Sequence, residues 1–287
     1  MIEVTKSILK EIYKKRPEDA RKYDYGLLLV IGGSEFYSGS PALAALAAFK
    51  TGVDMVRIIA PKRAADIIAS FSPNLAAYPL TGVHLSKEHL ATLISLTESA
   101  KIVSRGKTAV VIGGGAGRSE QTQEVILEFL SQVSVPVVID ADAIHALSKK
   151  PEVISDQPCI ITPHLYEFSV LTRKEVVKLS DGEKMKIVKE EAGRLKTTIL
   201  LKGQIDIISN GKEVAIVKAG SPFMTKGGMG DTAAGICGAL LARGLNPFEA
   251  AQAGILINDL AGEIACKKLK ESVMATDLIE AIPQAIK

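Results

Sequence analysis

The sequence lacks several residue types on which particular protein classes depend. Its 287 residues include no tryptophan and only three cysteines, Cys159, Cys237 and Cys266, each isolated in an apolar context. Isolated cysteines provide neither a disulfide framework nor the paired spacing of a zinc site. We therefore expect no structural metal and a protein that works in the reducing cytoplasm.

The sequence also lacks a strong charge imbalance and a long apolar run. The 35 lysines and arginines and the 32 aspartates and glutamates leave a formal charge of +3, too small to indicate nucleic acid or an anionic membrane as the partner. The most apolar stretches, Pro41 to Phe49 and Thr232 to Ala242, are much shorter than the roughly 20 residues that span a bilayer. The opening residues have no apolar core of a secretory signal.

Apolar residues and glycine are plentiful. The chain is 47% hydrophobic and contains 24 glycines, which is enough to bury a full globular core. Short apolar runs rich in β-branched residues recur along it and predict strands. Since the runs are apolar on both faces, they indicate a parallel sheet with helices on both sides. These predicted strands are Leu27 to Ile31, Met55 to Ile59, Ala109 to Ile112, Val135 to Ile139, and Cys159 to Ile161.

Three more apolar runs are separated only by short turns, and Asn210-Gly211 lies between the last two. Asn-Gly between apolar runs is typical of a β-hairpin, so we expect the far edge of the sheet to be antiparallel. These runs are Thr198 to Leu201, Ile205 to Ser209, and Val214 to Val217. Helices are predicted over Pro41 to Thr51, Asp231 to Arg243, Pro247 to Lys268, and Thr276 to Ile286. No linker or internal repeat divides the chain, which favours a single α/β domain over residues 1–287.

Glycine-rich turns follow several of the predicted strands, among them GGS at 32–34 and GGGAG at 113–117. In an open parallel sheet, ligands bind beyond the carboxyl ends of the strands, although glycine also permits a tight turn without any ligand. Two common nucleotide motifs are absent. Gly106-Lys107-Thr108 leads into a strand where a phosphate-binding loop leads into a helix, and GGGAG lacks the sixth-position glycine of a dinucleotide fingerprint.

The strongest local signal is TKGGMGDTAAGICGALLARG at 225–244, in which Gly227, Gly228 and Gly230 lead into a helix of small residues. The amides of such a turn can converge on a phosphate, and the helix dipole adds about half a positive charge there. Asp231 stands at the predicted helix start. It is either an N-cap, for which aspartate is preferred, or a general base that takes a hydroxyl proton during phosphoryl transfer. The adjacent glycines favour the base.

The GGMGD segment before a small-residue helix resembles the GxGD anion-hole motif of ribokinase-like proteins. Further segments resemble the ADP- or ATP-dependent NAD(P)H-hydrate dehydratases in order and spacing over nearly the whole chain. They are KYDYGLLLVIGGS at 22–34, YSGSPALAALAAFKTG at 37–52, IGGGAGR at 112–118, VIDADAIHAL at 138–147 and ITPHLYEF at 161–168. The resemblance implies a ribokinase-like fold and an enzyme that uses a nucleotide to repair hydrated NADH and NADPH (NADHX and NADPHX).

The resemblance also assigns roles to individual residues. Asp231 becomes the catalytic base and a substrate contact, and the other substrate contacts are Ser40, Pro41, Gly117 and His164. ADP or ATP is placed at Gly230, beside the phosphate site of Gly227 and Gly228, and along Lys202, Gly203, Gln204, Ile205 and Asp206. A plain hairpin explains this last segment about equally well. His164 as a mere turn residue is an alternative to substrate contact.

Two acidic residues, Asp140 and Asp142, follow the fourth predicted strand. They are candidates to organise Mg²⁺-bound phosphate through water, because Mg²⁺ favours few carboxylates and several waters. A capping role for Asp142 is at least as good an interpretation. Related sequences often have PHPGE where this chain has PHLYE at 163–167, and often have histidine where Asn258 stands. These departures fall where finer substrate contacts are expected.

Three functions remain open from the sequence. The chain is a dehydratase, a ribokinase-like kinase that retains its phosphorylated product, or a nucleotide-binding regulator without turnover. The resemblance favours the dehydratase. It also implies that ADP is preferred over ATP, that Mg²⁺ is bound with the nucleotide, and that the protein assembles into a homotetramer. Since only about twenty-five residues precede the first predicted strand, we expect a stand-alone form without the epimerase domain that is fused to many related proteins.

Overall fold

The computed structural model describes residues 1–155 and 157–287. In this part of the chain, the apolar runs form a ten-stranded sheet. Its central strands, such as β2, are buried along their whole length, which explains why polar residues are so rare in them. The strands are β1 (Ile2–Glu3), β2 (Leu27–Ile31), β3 (Met55–Pro61), β4 (Ala76–Leu80), β5 (Thr108–Ile112), β6 (Val137–Ile139), β7 (Cys159–Ile161), β8 (Thr198–Leu201), β9 (Asp206–Ser209) and β10 (Val214–Val217).

The strands are arranged in the order β1-β10-β9-β8-β7-β6-β5-β2-β3-β4. From β4 across to β8, every neighbouring pair is parallel. β9 is antiparallel to both β8 and β10, and β1 adds to the edge parallel to β10. The prediction of a mostly parallel sheet with an antiparallel edge is therefore confirmed.

Helices cover both faces of the sheet, as the apolar strands require. They are α1 (Ser7–Ile12), α2 (Gly39–Lys50), α3 (Lys62–Phe71), α4 (Leu90–Val103), α5 (Glu120–Gln132), α6 (Asp142–Leu147), α7 (Leu165–Thr172), α8 (Asp181–Leu195), α9 (Met229–Ala242), α10 (Pro247–Leu269) and α11 (Ala275–Ile286). No helix within residues 1–155 and 157–287 has the length and hydropathy needed to cross a membrane.

Strand side chains alternate between two apolar cores. Leu28 and Val30 of β2 belong to the core that contains α2, α9, α10 and α11. Leu27, Leu29 and Ile31 belong to the opposite core, with α4 to α8. This alternation, with both faces covered, is the packing expected of a parallel sheet.

The small residues of α2 and α9 allow the two helices to pack closely. A methyl group at Gly235 of α9 would overlap the backbone of Ala44 in α2. Ala45 and Ala48 of α2 are also fully buried. The apolar composition of α2 is thus explained by burial within the chain, so it carries no evidence for an intermolecular interface.

Several predicted boundaries were wrong by a few residues, and two strands were not predicted. The helix predicted from Asp231 begins at Met229, and the strand predicted from Val135 begins at Val137. β1 has only two residues, and β4 contains Pro79 and is largely exposed. Such short or polar edge strands form through pairing with distant residues, which a local pattern does not reveal.

Candidate active site

The carboxyl ends of the parallel strands bring the predicted site residues to one edge of the sheet. The strand order changes direction between β2 and β5, and in this class of fold such a point opens a ligand crevice. β9 runs the opposite way, so Asp206 at its amino end returns to the same edge. The turns after β2, β5, β6, β7 and β8 begin there at Gly32, Gly113, Asp140, Thr162 and Lys202.

Asp231 lies in this crevice, opposite Ser40. The Ser40 hydroxyl donates a short hydrogen bond to Oδ1 of Asp231. Gly114 makes the approach possible, since a methyl group there would overlap the Ser40 hydroxyl and lie 3.0 Å from Oδ1 of Asp231. Pro41 packs against the turn Gly32-Gly33. Two of the predicted substrate residues, Ser40 and Pro41, therefore adjoin the predicted base.

The interpretation of Asp231 as an N-cap is wrong. The N-cap of α9 is Gly228, which has a φ of +93° and no side chain to donate or accept. Asp231 is the third residue of the helix, and its carboxylate accepts a hydrogen bond from α2. The carboxylate is consequently directed at the crevice.

The pKa of Asp231 is raised from 3.8 to about 6, chiefly by burial and then by the neighbouring Asp140 carboxylate. The hydrogen bond from Ser40 and the charge of Lys202 act in the opposite direction. A carboxylate with this pKa is mostly ionised at neutral pH and binds a proton more readily than an exposed aspartate does. This is the property required of a general base for a hydroxyl group.

Lys202, which directly follows β8, forms an ion pair with Asp140 at the end of β6. Its Nζ donates to Oδ1 of Asp140 at 3.0 Å, and Thr162 Oγ1 donates to the same oxygen at 2.7 Å. Burial favours the neutral amine, but the carboxylates of Asp140, Glu167 and Asp231 outweigh it and raise the pKa of Lys202. The ammonium lies 3.2 Å from the position of a Cβ on Gly230. A fixed positive charge thus stands at the start of α9.

A cleft of about 980 Å³ adjoins Lys202 and continues along the antiparallel edge of the sheet. All five residues of the predicted nucleotide segment line it: Lys202, Gly203, Gln204, Ile205 and Asp206. Gly230 and His164 line the same cleft. The turn is held by a 2.9 Å hydrogen bond from the Gly203 amide to Oδ1 of Asp206. The hairpin and the ligand interpretations of this segment are therefore compatible, because the hairpin forms a wall of the cleft.

Asp259 of α10 faces Asp206 across the base of the cleft. Both side chains are at least nine-tenths buried, and burial raises the pKa of each. The pKa of Asp259 is raised further by the charge of Asp206 and lies well above its usual value. Oδ2 of Asp259 has no hydrogen-bond partner among the described residues. The raised pKa of Asp259 favours its protonated form, which can donate a hydrogen bond to Asp206.

The glycine turn before α9 lies beside Lys202 and Asp231. Gly227 has open space where a side chain would stand, and Gly228 is in the left-handed region that favours glycine. The first amides of a helix have no carbonyl partner within it, and the helix dipole is positive at this end. Gly227, Gly228 and Gly230 therefore form a turn whose amides and helix dipole favour negative charge, next to a lysine.

Gly117 lies on the rim of the crevice and is tied to Asp142. Its amide donates to Oδ2 of Asp142 at 2.8 Å, and Arg118 Nε donates to Oδ1 at 2.7 Å. Asp142 is the first residue of α6, where Ala141 is the N-cap and no side chain caps the helix. The capping role of Asp142 is not observed, and its carboxylate instead fixes the glycine turn after β5.

His164 is the N-cap of α7. Its Nδ1 accepts hydrogen bonds from the amides of Tyr166 and Glu167 at 3.2 and 3.3 Å, and Glu167 accepts one from the His164 amide at 2.9 Å. With Nδ1 acting as acceptor, any proton on the neutral ring is on Nε2. A structural role for His164 is thus present, and its exposed ring still lines the cleft.

The carboxylates fit Mg²⁺ only through water. Within the described ranges, no group of three or more histidine, cysteine, aspartate or glutamate side chains could hold a metal directly. Both oxygens of Asp142 are engaged by Gly117 and Arg118, and Oδ1 of Asp140 accepts two hydrogen bonds. Mg²⁺ carried by a nucleotide could reach Asp140 through a water molecule, in keeping with its preference for few carboxylates.

Comparison with known proteins agrees with this geometry. A family model described as NAD(P)H-hydrate dehydratase matches residues 28–284. The chain belongs to the NAD(P)H-hydrate dehydratase family. The match spans the described crevice, the cleft and the glycine turn before α9.

Relatives in this dehydratase family occur in archaea. The ADP-dependent (S)-NAD(P)H-hydrate dehydratase of Nitrosopumilus maritimus is 32% identical over 285 residues, which cover 99% of this chain and 96% of that protein. The bifunctional NAD(P)H-hydrate repair enzyme of Pyrobaculum aerophilum is 41% identical over 274 residues, covering 95% of this chain and 52% of that protein. The chain spans about half the length of several such bifunctional relatives.

Solved structures show the same fold. A ribokinase-like superfamily protein from Enterococcus faecalis superposes with a TM-score of 0.84 at 24% identity, covering 99% of this chain and 95% of its own. The ADP/ATP-dependent NAD(P)H-hydrate dehydratase of Bacillus subtilis, co-crystallised with ATP and Mg²⁺, has a TM-score of 0.81 at 22% identity, covering 99% and 97%. The ribokinase-like fold predicted from the sequence is confirmed.

Three features of this dehydratase-family site were not predicted from the sequence. Asp140 forms an ion pair with Lys202, Asp259 faces Asp206, and the absence of a side chain at Gly114 lets Asp231 approach Ser40. The positions of Asp140 and Gly114 at this edge follow from the sequence, since both come after predicted strands. Asp259 lies within a long apolar helical pattern, and no local signal connects it with β9.

Proposed function

We propose that the protein uses ADP or ATP to dehydrate NADHX and NADPHX, and thereby restores NADH and NADPH. The observation that carries this proposal is the position of Asp231. A buried carboxylate with a raised pKa lies directly beside an anion-binding helix start and the ammonium of Lys202. Family membership supplies the substrate class, and the geometry supports the roles proposed for the residues.

The nucleotide occupies the cleft lined by Lys202 to Asp206. Its terminal phosphate lies at the amides of residues 227–230, where the helix dipole and the Lys202 ammonium offset negative charge. Mg²⁺ bound to the phosphates would supply further charge neutralisation. Asp140 would hold it through water, in agreement with the hydrogen bonds that already engage this carboxylate.

The hydrated ring enters the crevice with its hydroxyl toward Asp231. Asp231 accepts the hydroxyl proton as the oxygen forms a bond to the terminal phosphorus, and the bond from phosphorus to the nucleotide breaks. With ADP the other product is AMP. Phosphorylation converts a poor leaving group into a good one. The lone pair of the ring nitrogen then expels phosphate from the adjacent carbon, and loss of a proton from the next carbon restores the ring double bond.

Ser40, Pro41, Gly117 and His164 are proposed to contact the substrate. Ser40 and Pro41 are placed for this by their contacts with Asp231 and with the turn after β2. Gly117 lies on the rim and has open space where a side chain would stand. His164 presents its ring to the cleft from the start of α7. In this arrangement the substrate lies between the turns after β5 and β7.

We propose that ADP supports the reaction better than ATP. The Nitrosopumilus maritimus relative, whose name describes it as ADP-dependent, supports this proposal. We also propose that the enzyme works in the cytoplasm as a homotetramer. The free, buried cysteines suit a reducing compartment. Exposed Phe71 of α3 and Tyr78 of the edge strand β4 provide apolar surface for an interface.

Oxygen-18 labelling of the ring hydroxyl tests the proposed chemistry. If the hydroxyl is phosphorylated and then expelled, its labelled oxygen must leave in inorganic phosphate, with one labelled phosphate for each NADH formed. Label in water would show direct dehydration without phosphoryl transfer. A stable phosphorylated product would identify a kinase, and nucleotide binding without turnover would identify a regulator. The Asp231→Asn variant serves as the background control.

A further inference from the structure

Two aromatic residues stand next to each other in the loop between β2 and α2, but their surroundings differ. Phe36 is 92% exposed, whereas Tyr37 is 41% exposed. Tyr37 is therefore held against the protein while part of its ring stays accessible. None of the roles assigned above involves this side chain, although its loop leads directly to Ser40.

The Tyr37 ring rests on the backbone of two glycines from different turns. Its atoms lie 3.0–3.2 Å from the position of a Cβ on Gly39 and 3.0 Å from that on Gly115. The backbone is fixed as well, because the Ser34 amide donates to the Tyr37 carbonyl at 3.1 Å. The ring is thus packed against glycine backbone, and any side chain at Gly39 or Gly115 would displace it.

The ring also lies within the electrostatic influence of the predicted base. Burial, and then the charge of Asp231, raise the pKa of Tyr37. The phenol consequently stays protonated and remains able to donate a hydrogen bond. Ser40 shares the same surroundings, since its Cβ lies 3.5 Å from the Cβ position of Gly115. Tyr37 therefore borders the mouth of the crevice that contains Asp231.

We propose that Tyr37 is a substrate-binding residue whose ring forms the wall of the crevice against which a hydrated, partly reduced nitrogen heterocycle packs. The inference rests on the proposed function, which brings such a ring to Asp231. An aromatic ring that is held by backbone contacts and is still partly exposed provides a surface against which such a ring can pack. Because glycine backbone supports it, the wall is rigid and orients the ring hydroxyl toward Asp231.

The proposal separates substrate binding from nucleotide binding. Tyr37 does not line the nucleotide cleft, so its removal should leave ADP affinity unchanged. Tyr37→Leu removes the ring, and Tyr37→Phe keeps the ring but removes the hydroxyl. Phe36→Leu makes the same kind of change at the adjacent, exposed position and is the matched control. Gly39→Ala retains Tyr37 but adds a methyl group against its ring, at a position where alanine suits the helix start.

The experiment measures KM and kcat for hydrated NADH, direct calorimetric binding of hydrated NADH, and ADP affinity for these variants. Tyr37→Leu should raise KM and the Kd of hydrated NADH about tenfold, as expected for loss of one stacked aromatic contact. Tyr37→Phe should restore most of this loss, Gly39→Ala should raise KM, and Phe36→Leu should match the wild type.

Unchanged KM and Kd for Tyr37→Leu in an active enzyme would overturn the inference and leave the proposed function standing. An equal loss of ADP affinity would also overturn it, because the residue would then support the fold in general. A wild-type protein that neither binds nor converts hydrated NADH would refute the proposed function, and the inference with it. The three results are distinguishable within one set of measurements.

Discussion

Replacement of Asp231 by asparagine should separate catalysis from stability. The amide keeps the shape of the side chain and can still accept the hydrogen bond from Ser40, but it cannot take the hydroxyl proton. Loss of general-base catalysis lowers the rate by about a hundredfold or more. ADP affinity should change little, because Asp231 is not among the residues that line the nucleotide cleft.

The same substitution should not destabilise the fold. The pKa of Asp231 rises from 3.8 to about 6 on folding, which corresponds to about 3 kcal/mol at about 1.4 kcal/mol for each tenfold change in the acid constant. Between these two pH values the folded protein binds the Asp231 proton more tightly than the unfolded chain does. Stability therefore falls as pH rises through this window, and the full loss is present at pH 7. Asparagine carries no charge, so the Asp231→Asn variant does not suffer this loss of stability.

The assay combines dehydration rate, thermal and urea unfolding, and ADP affinity on one preparation. Asp181→Asn is the matched control, because Asp181 is a helix-start aspartate of α8 that lines neither the crevice nor the nucleotide cleft. For the wild type, kcat/KM should decrease below pH about 6 as Asp231 becomes protonated. Near-normal turnover of Asp231→Asn would refute the base assignment. A large loss of stability would refute the account of its burial.

Three further predictions concern the nucleotide cleft and assembly. Lys202→Met should weaken ADP binding at least tenfold. It should also lower the free energy of unfolding by about 3 kcal/mol, because Asp140 stays buried without its positively charged partner. Calorimetry and urea unfolding test both effects, and Lys218→Met is the control because Lys218 lines the same cleft. Wild-type ADP affinity should fall as pH rises above the raised pKa of Asp259, where the Asp206–Asp259 pair gains a second negative charge. Asp259→Asn should weaken this pH dependence of ADP affinity. A variant with the same pH profile as the wild type would contradict the prediction. Light scattering should show a tetramer at micromolar concentration, and a monomer would refute the proposed assembly.

The features predicted correctly from the sequence are those with a local cause. Buried strands such as β2 follow from continuous apolar runs, and the β9–β10 hairpin follows from Asn210-Gly211. The common position of the glycine turns follows from the rule that parallel strands end at one edge. These local signals were sufficient for the fold class and for the common edge at which the glycine turns lie.

The features that were missed depend on contacts between distant residues. Whether Asp231 caps α9 depends on where the helix starts, and the glycines at 227, 228 and 230 allow more than one start. The partner of Asp206 lies on α10, which the sheet topology brings to the cleft. In the sequence, nothing distinguishes Tyr37 from other aromatic residues in loops. Its contacts with Gly39 and Gly115 are apparent only in the fold. Sequence patterns within one element do not contain this information.

The most direct test of the central claim is the turnover of hydrated NADH by the purified protein with Mg²⁺ and either ADP or ATP. The absorbance of NADH and the release of phosphate are followed together in the same reaction. We expect NADH to appear only with nucleotide, with one phosphate released for each NADH and a higher rate with ADP. Nucleotide consumption that leaves a phosphorylated product, or NADH formation independent of nucleotide, would contradict the account.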